Sequence, residues 1–361
     1  MTPTSDRTLP WKSFILLLLL AMEVHNYGRM SGEISMMDMC ATLSTRYASE
    51  PTTTALMKSS MTSSPTPTPE NKNTNDADYS KAHEQSLGFF KNIPSSEWKL
   101  LQEKVSAMSP NFDDNMFKTS LSRRKNKIYG YFWQHHYEPD FVCQHERRVG
   151  KRGDGGKWIC DPHRIAQKVE AGGRCLIYSV GSFNNYKFEQ GVQKDVHEKC
   201  EIHTFDPGDY ESGAKKAGGD ITYHRVGVST DKVGPKGIYK SLPTLVSELG
   251  HQNSEIDVFK IDCEGCEFES ASNWFEASAK YNVTLRQILV ELHGRKEARV
   301  FSFFDLMYKH GYVIFHKEQN TIAMNMNGTA IEYAFLKLDP AFVNAIPRAN
   351  AYETFRTMTG E

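Results

Sequence analysis

The sequence predicts an α/β protein built on an open, mainly parallel β-sheet with helices on both faces. Two observations lead to this fold class. From about residue 173, short apolar runs alternate with helical segments at the spacing that a parallel sheet with crossover helices requires. The runs at 256–261 and 286–292 then break abruptly into acids, glycine or histidine, which is typical of buried parallel strands that present polar side chains at one rim. In open α/β folds that rim binds ligands.

The predicted elements follow one another along the chain. A helix at 94–108 starts at serines that can cap it and packs against the main domain. The predicted strands are 174–180, 200–205, 221–226, 256–261, 286–292, 312–316 and 331–338. Further helices are predicted around 188–196, 242–249, 274–281 and 300–307. The last two strands are joined by a short polar loop, which predicts an antiparallel hairpin on the sheet edge.

The first 82 residues are expected to lie outside this fold. Basic residues precede an uninterrupted apolar run at 14–22, which is too short to cross a hydrocarbon layer about 30 Å thick. Residues 1–22 are therefore predicted to be a signal peptide, with an uncleaved membrane anchor as the alternative. Residues 23–82 are rich in Ser, Thr and Pro and predict a disordered stem. Both alternatives place the folded part in the secretory pathway: in the ER or Golgi lumen, membrane-anchored, or secreted.

The rest of the chain divides into three predicted parts: a helical extension at 83–127, the main domain at 128–345 and a C-terminal tail at 346–361. The formal net charge of −1 gives no general reason to expect a nucleic-acid partner, and none is predicted.

The cysteines and two acceptor triplets fit a lumenal protein. Cys143 and Cys160 bracket a glycine-rich loop, and a disulfide across it would contribute about 3 kcal/mol. The chain has seven cysteines, so at least one stays free or pairs with another chain. Asn282 and Asn327 each begin an N-glycan acceptor triplet. The glycine-rich loop at 153–160 is either a lid over the ligand site or a turn tied by the disulfide.

The turn after the first strand predicts a cofactor site. Gly181 and Ser182 stand where the backbone can approach a nucleotide-like ligand and its free N–H groups can face it. Asp206 ends the second strand about twenty-five residues on, where an acid commonly accepts hydrogen bonds from ribose hydroxyls. The alternative is that Asp206, followed by Pro and Gly, simply makes a good turn.

The carboxyl ends of the fourth and fifth strands predict the catalytic groups. Asp262 and Glu264 follow one strand, and His293 ends the next. The acids could bind a divalent cation, contact a substrate hydroxyl or accept its proton, and the histidine could be the base. The alternatives are that Glu264 and Glu267 interact only with the helix dipole, and that His293 is a structural hydrogen-bonding residue.

Cys263 and Cys266 form a Cys-x-x-Cys motif, which suggests thiol redox chemistry as a less favoured function. A zinc site at these thiols would require two further ligands, and the chain has no second motif of this kind.

Several of these segments together resemble a known group, the methyltransferase-like proteins related to the FkbM family. The matching segments, in the same order, are Asp-Gly-Gly-Lys-Trp-x-Cys at 154–160, Tyr-Ser-Val-Gly-Ser at 178–182, His-Thr-Phe-Asp-Pro at 203–207, Phe-Lys-Ile-Asp-Cys-Glu-Gly-Cys-Glu at 259–267, Val-Glu-Leu-His at 290–293 and Gly-Tyr-Val-Ile-Phe-His-Lys-Glu at 311–318. The resemblance covers roughly residues 135 to 340. It implies a seven-stranded, Rossmann-like methyltransferase sheet that uses S-adenosylmethionine to methylate hydroxyls, often on sugars or polyketide-like small molecules.

The chain departs from that family in its first loop. Ser179 stands where an acidic residue is usual, and Asn185 stands where a second glycine is expected. Glu189 could supply the missing carboxylate, which completes a predicted cofactor set of Gly181, Ser182, Glu189 and Asp206. The departures keep a second function open, namely a methyltransferase-shaped binding module without turnover. For an enzyme in the secretory pathway, the expected acceptor is a glycan or a small molecule.

Overall fold

The computed structural model describes residues 78–108, 133, 136–153, 155–234, 237–293, 297–320, 330–348 and 357. The predicted signal segment, the predicted stem up to residue 77 and the acceptor triplet at Asn327 lie outside the described residues. No helix in the described part of the chain is long and apolar enough to cross a membrane.

Strands and helices alternate through the main domain, as predicted. The strands are β1 Arg147–Val149, β2 Lys157–Ile159, β3 Leu176–Val180, β4 Glu201–Phe205, β5 Ile221–His224, β6 Gly227–Val228, β7 Lys232–Gly234, β8 Gly237–Lys240, β9 Glu255–Ile261, β10 Thr284–His293, β11 Tyr312–Gln319 and β12 Ala330–Lys337. The helices are α1 Ser80–Gln85, α2 Ser95–Ser106, α3 Pro162–Glu170, α4 Lys187–Asp195, α5 Glu211–Ala217, α6 Leu242–Glu248, α7 Glu267–Tyr281, α8 Glu297–Lys309 and α9 Pro340–Asn344.

The main sheet has seven strands in the order β11-β12-β10-β9-β3-β4-β5. The five strands from β10 to β5 are parallel, whereas β12 runs antiparallel to both β10 and β11. This confirms the predicted Rossmann-like methyltransferase fold with its C-terminal hairpin. The chain builds the sheet first from β3 towards β5 and then from β9 towards β11. The direction reverses between β3 and β9, where such sheets open a crevice for ligands.

Both faces of the sheet are buried, each under its own hydrophobic core. Successive residues of a strand point to opposite faces, so each strand contributes to both cores. In β9, Phe259 packs in one core with Trp274 of α7 and with the apolar face of α8. Its neighbour Val258 packs in the opposite core with Trp98 of α2 and with Phe188 of α4. These two cores account for the near-continuous apolar runs in the central strands.

The structure differs from the sequence prediction at several elements. Helix α7 includes the predicted segment 274–281 and begins earlier, at Glu267, which lies in its first turn as the alternative interpretation of that residue predicted. Helix α1 begins at Ser80, although the stem was predicted to extend to residue 82. The sequence analysis also missed the β1–β2 hairpin and the small sheet in which β8 lies between β6 and β7. These strands are only two to four residues long and carry too little periodicity to predict.

Three disulfides tie the described part of the chain together. The predicted bond between Cys143 and Cys160 is confirmed. A second bond joins Cys175 to Cys200, which directly precede the neighbouring strands β3 and β4. The third is the Cys-x-x-Cys pair. The seventh cysteine, Cys40, lies outside the described residues.

Candidate active site

A cleft of about 1030 Å³ opens at the carboxyl ends of β3, β4, β9 and β10. Parallel strands end at the same rim, so residues far apart in sequence meet here. Apart from Glu189, all the predicted site residues line the cleft: Gly181, Ser182, Asp206, Asp262, Glu264 and His293.

The turn after β3 packs directly on the end of β9. Gly181 has a φ of +76°, and a Cβ on it would lie 1.6 Å from the Asp262 carbonyl oxygen, so only glycine fits. The Asp262 N–H donates to the Val180 carbonyl at 3.1 Å. Lys260 Nζ donates to the carbonyls of Val180 and Gly181 at 3.1 and 2.8 Å. The predicted cofactor turn and the predicted catalytic strand therefore form one rigid unit.

Asp206 holds two loops at the rim of the cleft. Its Oδ1 accepts a hydrogen bond from the Gly208 N–H at 2.9 Å, which closes its own turn as the simpler interpretation predicted. Its Oδ2 accepts from the Phe183 N–H, also at 2.9 Å, and so fixes the loop that starts at Gly181. Each carboxylate oxygen can accept a second hydrogen bond. The side chain therefore orders the turn and keeps capacity for a ligand hydroxyl.

Glu189 does not reach the cleft wall. Its side chain is fully buried in α4, and the Ser179 hydroxyl donates to its Oε1 at 2.6 Å. Burial raises the pKa of Glu189, although the nearby charge of Lys260 lowers it. The serine in the place of the usual acid is thus paired with a buried glutamate. This arrangement offers no direct contact between Glu189 and a ligand in the cleft, in contrast to the cofactor role predicted for it.

Lys157 of β2 neutralises a group of acids beneath the rim. The ammonium is buried, lies 3.4 Å from Asp262 Oδ2 and 3.3 Å from Glu291 Oε2, and also contacts Glu332. Burial lowers the pKa of Lys157, but the three carboxylates outweigh burial and raise it, so the lysine stays charged.

The two glutamates on neighbouring strands β10 and β12 titrate in opposite directions. Burial raises the pKa of Glu291, but the Lys157 ammonium, hydrogen bonds with Glu332 and Asn320 and the charge of His293 together outweigh burial and lower that pKa to about 2. For Glu332, burial and the charge of Glu291 outweigh Lys157 and raise the pKa to about 8. The Lys157 ammonium thus favours the ionised form of Glu291, whereas burial favours the protonated form of Glu332.

Four carboxylates surround the imidazole of His293. Its Nδ1 is 2.9 Å from Glu267 Oε1. Its Nε2 lies 3.9 Å from Asp262 Oδ1 and 3.7 Å from an oxygen of both Glu264 and Glu291. Burial lowers the pKa of His293, but the hydrogen bond to Glu267 and the surrounding charges raise it to about 9. The protonated imidazole cannot accept a proton near neutral pH, so this geometry favours Asp262 over His293 as the base.

The Cys-x-x-Cys pair shapes the loop between the predicted catalytic acids. The disulfide lines the cleft, and the Cys263 N–H donates to Glu267 Oε1 at 3.1 Å. Glu264 and Gly265 both have positive φ inside this loop, which leaves the Glu264 side chain 83% exposed. The pair thus fixes the loop beside Asp262. Redox chemistry at these thiols stays the less favoured alternative.

Sequence reasoning missed three charged residues of this site: Lys157, Lys260 and Glu332. A lysine inside the apolar run of β9 was a usable signal, because lysine is rarely buried without a partner. Lys157 lies in the glycine-rich loop at 153–160, which was interpreted only as a lid or a tied turn. In the structure that segment contributes β2 to the β1–β2 hairpin, and Gly155, in the connection between the two strands, lines the cleft.

The solved structures that resemble this chain include the following three methyltransferases, each of low similarity. A rRNA methylase from Streptococcus thermophilus is 8% identical, with a TM-score of 0.31 over 46% of this chain and 88% of that chain. Magnesium protoporphyrin IX methyltransferase from Synechocystis, with bound S-adenosylmethionine, is 11% identical, with a TM-score of 0.28 over 48% and 76%. TrmK from M. capricolum, with S-adenosylhomocysteine, is 12% identical, with a TM-score of 0.29 over 48% and 67%. Similarity at this level carries no argument about substrate.

Among curated proteins, no sequence matches significantly. A sequence family described as a methyltransferase domain matches residues 80–337, which is more than half of the chain. The match includes both predicted halves of the site, from the turn at Gly181 to the rim at His293. The chain therefore belongs to this family of methyltransferase domains.

Proposed function

We propose that the protein binds S-adenosylmethionine in the cleft and methylates a hydroxyl of a glycan or small molecule. One observation supports this most directly. The glycine turn at Gly181, the acid at Asp206 and the carboxylate at Asp262 line the same cleft. A volume of about 1030 Å³ suits a cofactor with part of an acceptor beside it, because small-molecule sites are commonly about 300–1000 Å³.

The residues of the cleft fit the cofactor in distinct ways. Gly181 lets the backbone approach a ligand without a side chain in between, and Asp206 has hydrogen-bonding capacity for ribose hydroxyls. S-adenosylmethionine supplies an electrophilic methyl group, so the protein contributes mainly by positioning the acceptor.

Asp262 is the best placed group to receive the proton of an acceptor hydroxyl. It lines the cleft next to the cofactor turn, and Lys157 contacts only one of its oxygens closely, at 3.4 Å. A hydroxyl is a weak nucleophile, so a carboxylate that accepts its proton assists the reaction. The Lys157 ammonium also favours the ionised form of Glu291, its neighbouring partner at this rim.

The secretory placement predicted from residues 1–22 is part of the proposal. The three disulfides of the described residues support it, because such bonds persist mainly in oxidising compartments. Asn282 of the remaining acceptor triplet is exposed at the end of α7, so a glycan there would not disturb the core. An enzyme in that compartment meets glycans and secreted small molecules as acceptors.

Calorimetric titration of the full chain with S-adenosylmethionine tests the proposal. We expect micromolar binding that weakens at least about tenfold in Asp206→Ala, since about 1.4 kcal/mol corresponds to tenfold. Asp209→Ala is the matched control: this neighbouring carboxylate is 75% exposed, does not line the cleft, and should leave binding unchanged. Absence of binding by the folded wild-type protein would reject the proposal.

The second candidate function is a binding module with a methyltransferase fold but without turnover. The observation that favours it is the first loop, where the usual acid is replaced by Ser179 and Glu189 stays buried. The same titration separates the two functions only in part, so it is paired with an assay for S-adenosylhomocysteine release over a panel of glycans. Cofactor binding without release of product on any acceptor would favour the binding module.

A further inference from the structure

Three carboxylate oxygens converge on one nitrogen in the cleft. Nε2 of His293 lies 3.9 Å from Asp262 Oδ1, 3.7 Å from Glu264 Oε2 and 3.7 Å from Glu291 Oε1. All three distances are too long for a direct hydrogen bond. All four residues line the cleft, so the space between these atoms is accessible to small solutes.

The neighbouring side chains orient His293, Asp262 and Glu291 so that their potential ligand atoms face one another. Glu267, which is fully buried, accepts the Nδ1–H of His293 at 2.9 Å, and its Oε2 has no hydrogen-bond partner in the described structure. A carboxylate behind the imidazole is how proteins commonly orient a metal-binding histidine. Lys157 contacts the far oxygens of Asp262 and Glu291, at 3.4 and 3.3 Å. The near oxygens of both residues face His293, and that of Glu291 also accepts a hydrogen bond from the Asn320 amide at 3.0 Å.

We propose that Asp262, Glu291 and His293 bind a divalent cation, with Glu264 as a fourth ligand from the exposed loop. The ligand atoms of the first three residues lie within 4.8 Å of one another. Ions with bonds of about 2.0–2.2 Å hold ligand atoms about 3.0–3.6 Å apart, so the carboxylate oxygens at 3.7 and 3.9 Å from Nε2 are close to the spacing that a bound ion needs. One imidazole among carboxylates suits Mn²⁺ or Zn²⁺ better than Mg²⁺.

The catalytic role of this cation site rests on the proposed methyl transfer. The group shares the cleft with the cofactor turn at Gly181. A cation bound at that rim would displace the Nε2 proton of His293 and occupy Asp262 Oδ1. It would then orient an acceptor oxygen and favour its deprotonated form, in place of Asp262 as the base. Cation binding itself does not depend on the identity of the acceptor and can be measured without turnover.

A second group of potential ligands provides the internal control. Glu201, His203 and His251 also offer three ligand atoms within 4.8 Å, away from the residues that line the cleft. There, however, the Arg174 guanidinium lies 2.8 Å from both a Glu201 oxygen and His251 Nε2. This permanent cation already occupies the position that a metal would take.

The experiment is a titration of the metal-free, oxidised full chain with Mn²⁺, followed by electron paramagnetic resonance, with Zn²⁺ and Mg²⁺ as competitors. We expect one site per chain, displaced by Zn²⁺ and poorly by Mg²⁺, with a nitrogen coupling from one imidazole. His293→Gln should remove the coupling and weaken binding about 100-fold, and Glu267→Gln should weaken it about 10–100-fold. His251→Gln should leave both the affinity and the coupling unchanged.

Two results would overturn the proposal: no Mn²⁺ or Zn²⁺ binding by the folded wild-type protein, or binding lost in His251→Gln but retained in His293→Gln. Glu264→Gln guards against a folding artefact because its side chain is 83% exposed, and it should weaken binding several-fold with unchanged unfolding. S-adenosylmethionine titrations on the same samples separate the two proposals. Cofactor binding without metal binding would reject only the cation site, and metal binding without cofactor binding would reject only the proposed function.

Discussion

Replacement of Gly181 by alanine tests whether the cofactor turn and the catalytic strand are one unit. The substitution adds a Cβ whose ideal position is 1.6 Å from the Asp262 carbonyl oxygen, at a residue with a φ of +76°. Rotation of a side chain cannot relieve this collision, because the contacted atom belongs to the backbone at the end of β9. The turn must therefore move away from the end of β9.

The expected cost follows from the contacts that such a movement breaks. A positive φ costs about 1–2 kcal/mol for a residue with a Cβ. Separation also disrupts the bond from the Asp262 N–H to Val180 and the two bonds from Lys260 to Val180 and Gly181. At about 1 kcal/mol for each hydrogen bond, the total loss of unfolding free energy is about 4–5 kcal/mol.

Urea unfolding of the full chain measures this loss, with Gly172→Ala as the matched control. Gly172 has a φ of +85°, but a Cβ there would have no neighbour within 4 Å. The control should lose only about 1–2 kcal/mol and keep its affinity for S-adenosylmethionine, whereas Gly181→Ala should lose that affinity. Equal losses in the two variants would refute the close packing of the turn on β9.

Two further predictions concern stability. Replacement of both Cys175 and Cys200 by alanine should lower the free energy of unfolding by about 3.5 kcal/mol, because the bond closes a loop with a sequence separation of 25. Urea unfolding that shows a loss under about 1 kcal/mol would contradict this. For His224, burial and the neighbouring charge of His203 lower the pKa to about 4 from 6.5, so the unfolded chain binds the proton first. This stabilisation is present above pH 6.5 and is lost as the pH falls towards 4; after allowance for partial exposure we expect about 1 kcal/mol less stability at pH 5 than at pH 7. His224→Gln should flatten that pH dependence, and an unchanged slope would argue against it.

The seven strands of the main sheet were predictable because burial on both faces leaves a strong apolar signal. Residues such as Val258 and Phe259 are fully buried on opposite sides, and even the charged residues of that strand, Asp257 and Lys260, are buried. Short strands carry no such signal. Val233 of β7 is 86% exposed, so its segment has no apolar face to detect.

The rim residues were predictable and their electrostatic partners were not. Asp262 and His293 were identified because Asp262 directly follows β9 and His293 is the last residue of β10. Lys157 is separated by 105 residues from Asp262 and by 175 from Glu332, and only the folded sheet brings them together. The protonation of His293 depends on the same long-range neighbours, so its chemistry could not be derived from its position in the sequence. The disulfide between Cys175 and Cys200 is a long-range contact that the sequence does indicate, because both residues directly precede neighbouring parallel strands.

The placement of Lys157 has a consequence for the order in which the protein acquires its site. The lysine lies in a hairpin that is synthesised before any strand of the main sheet, and Glu332 lies in the last strand to be added. The interacting charged groups of the rim are therefore all present only after nearly the whole domain has emerged from the ribosome. A fragment that begins after the hairpin lacks Lys157, and one that ends before β12 lacks Glu332 and the strand that joins β11 to the sheet. Either fragment therefore loses a residue that interacts at the acidic rim.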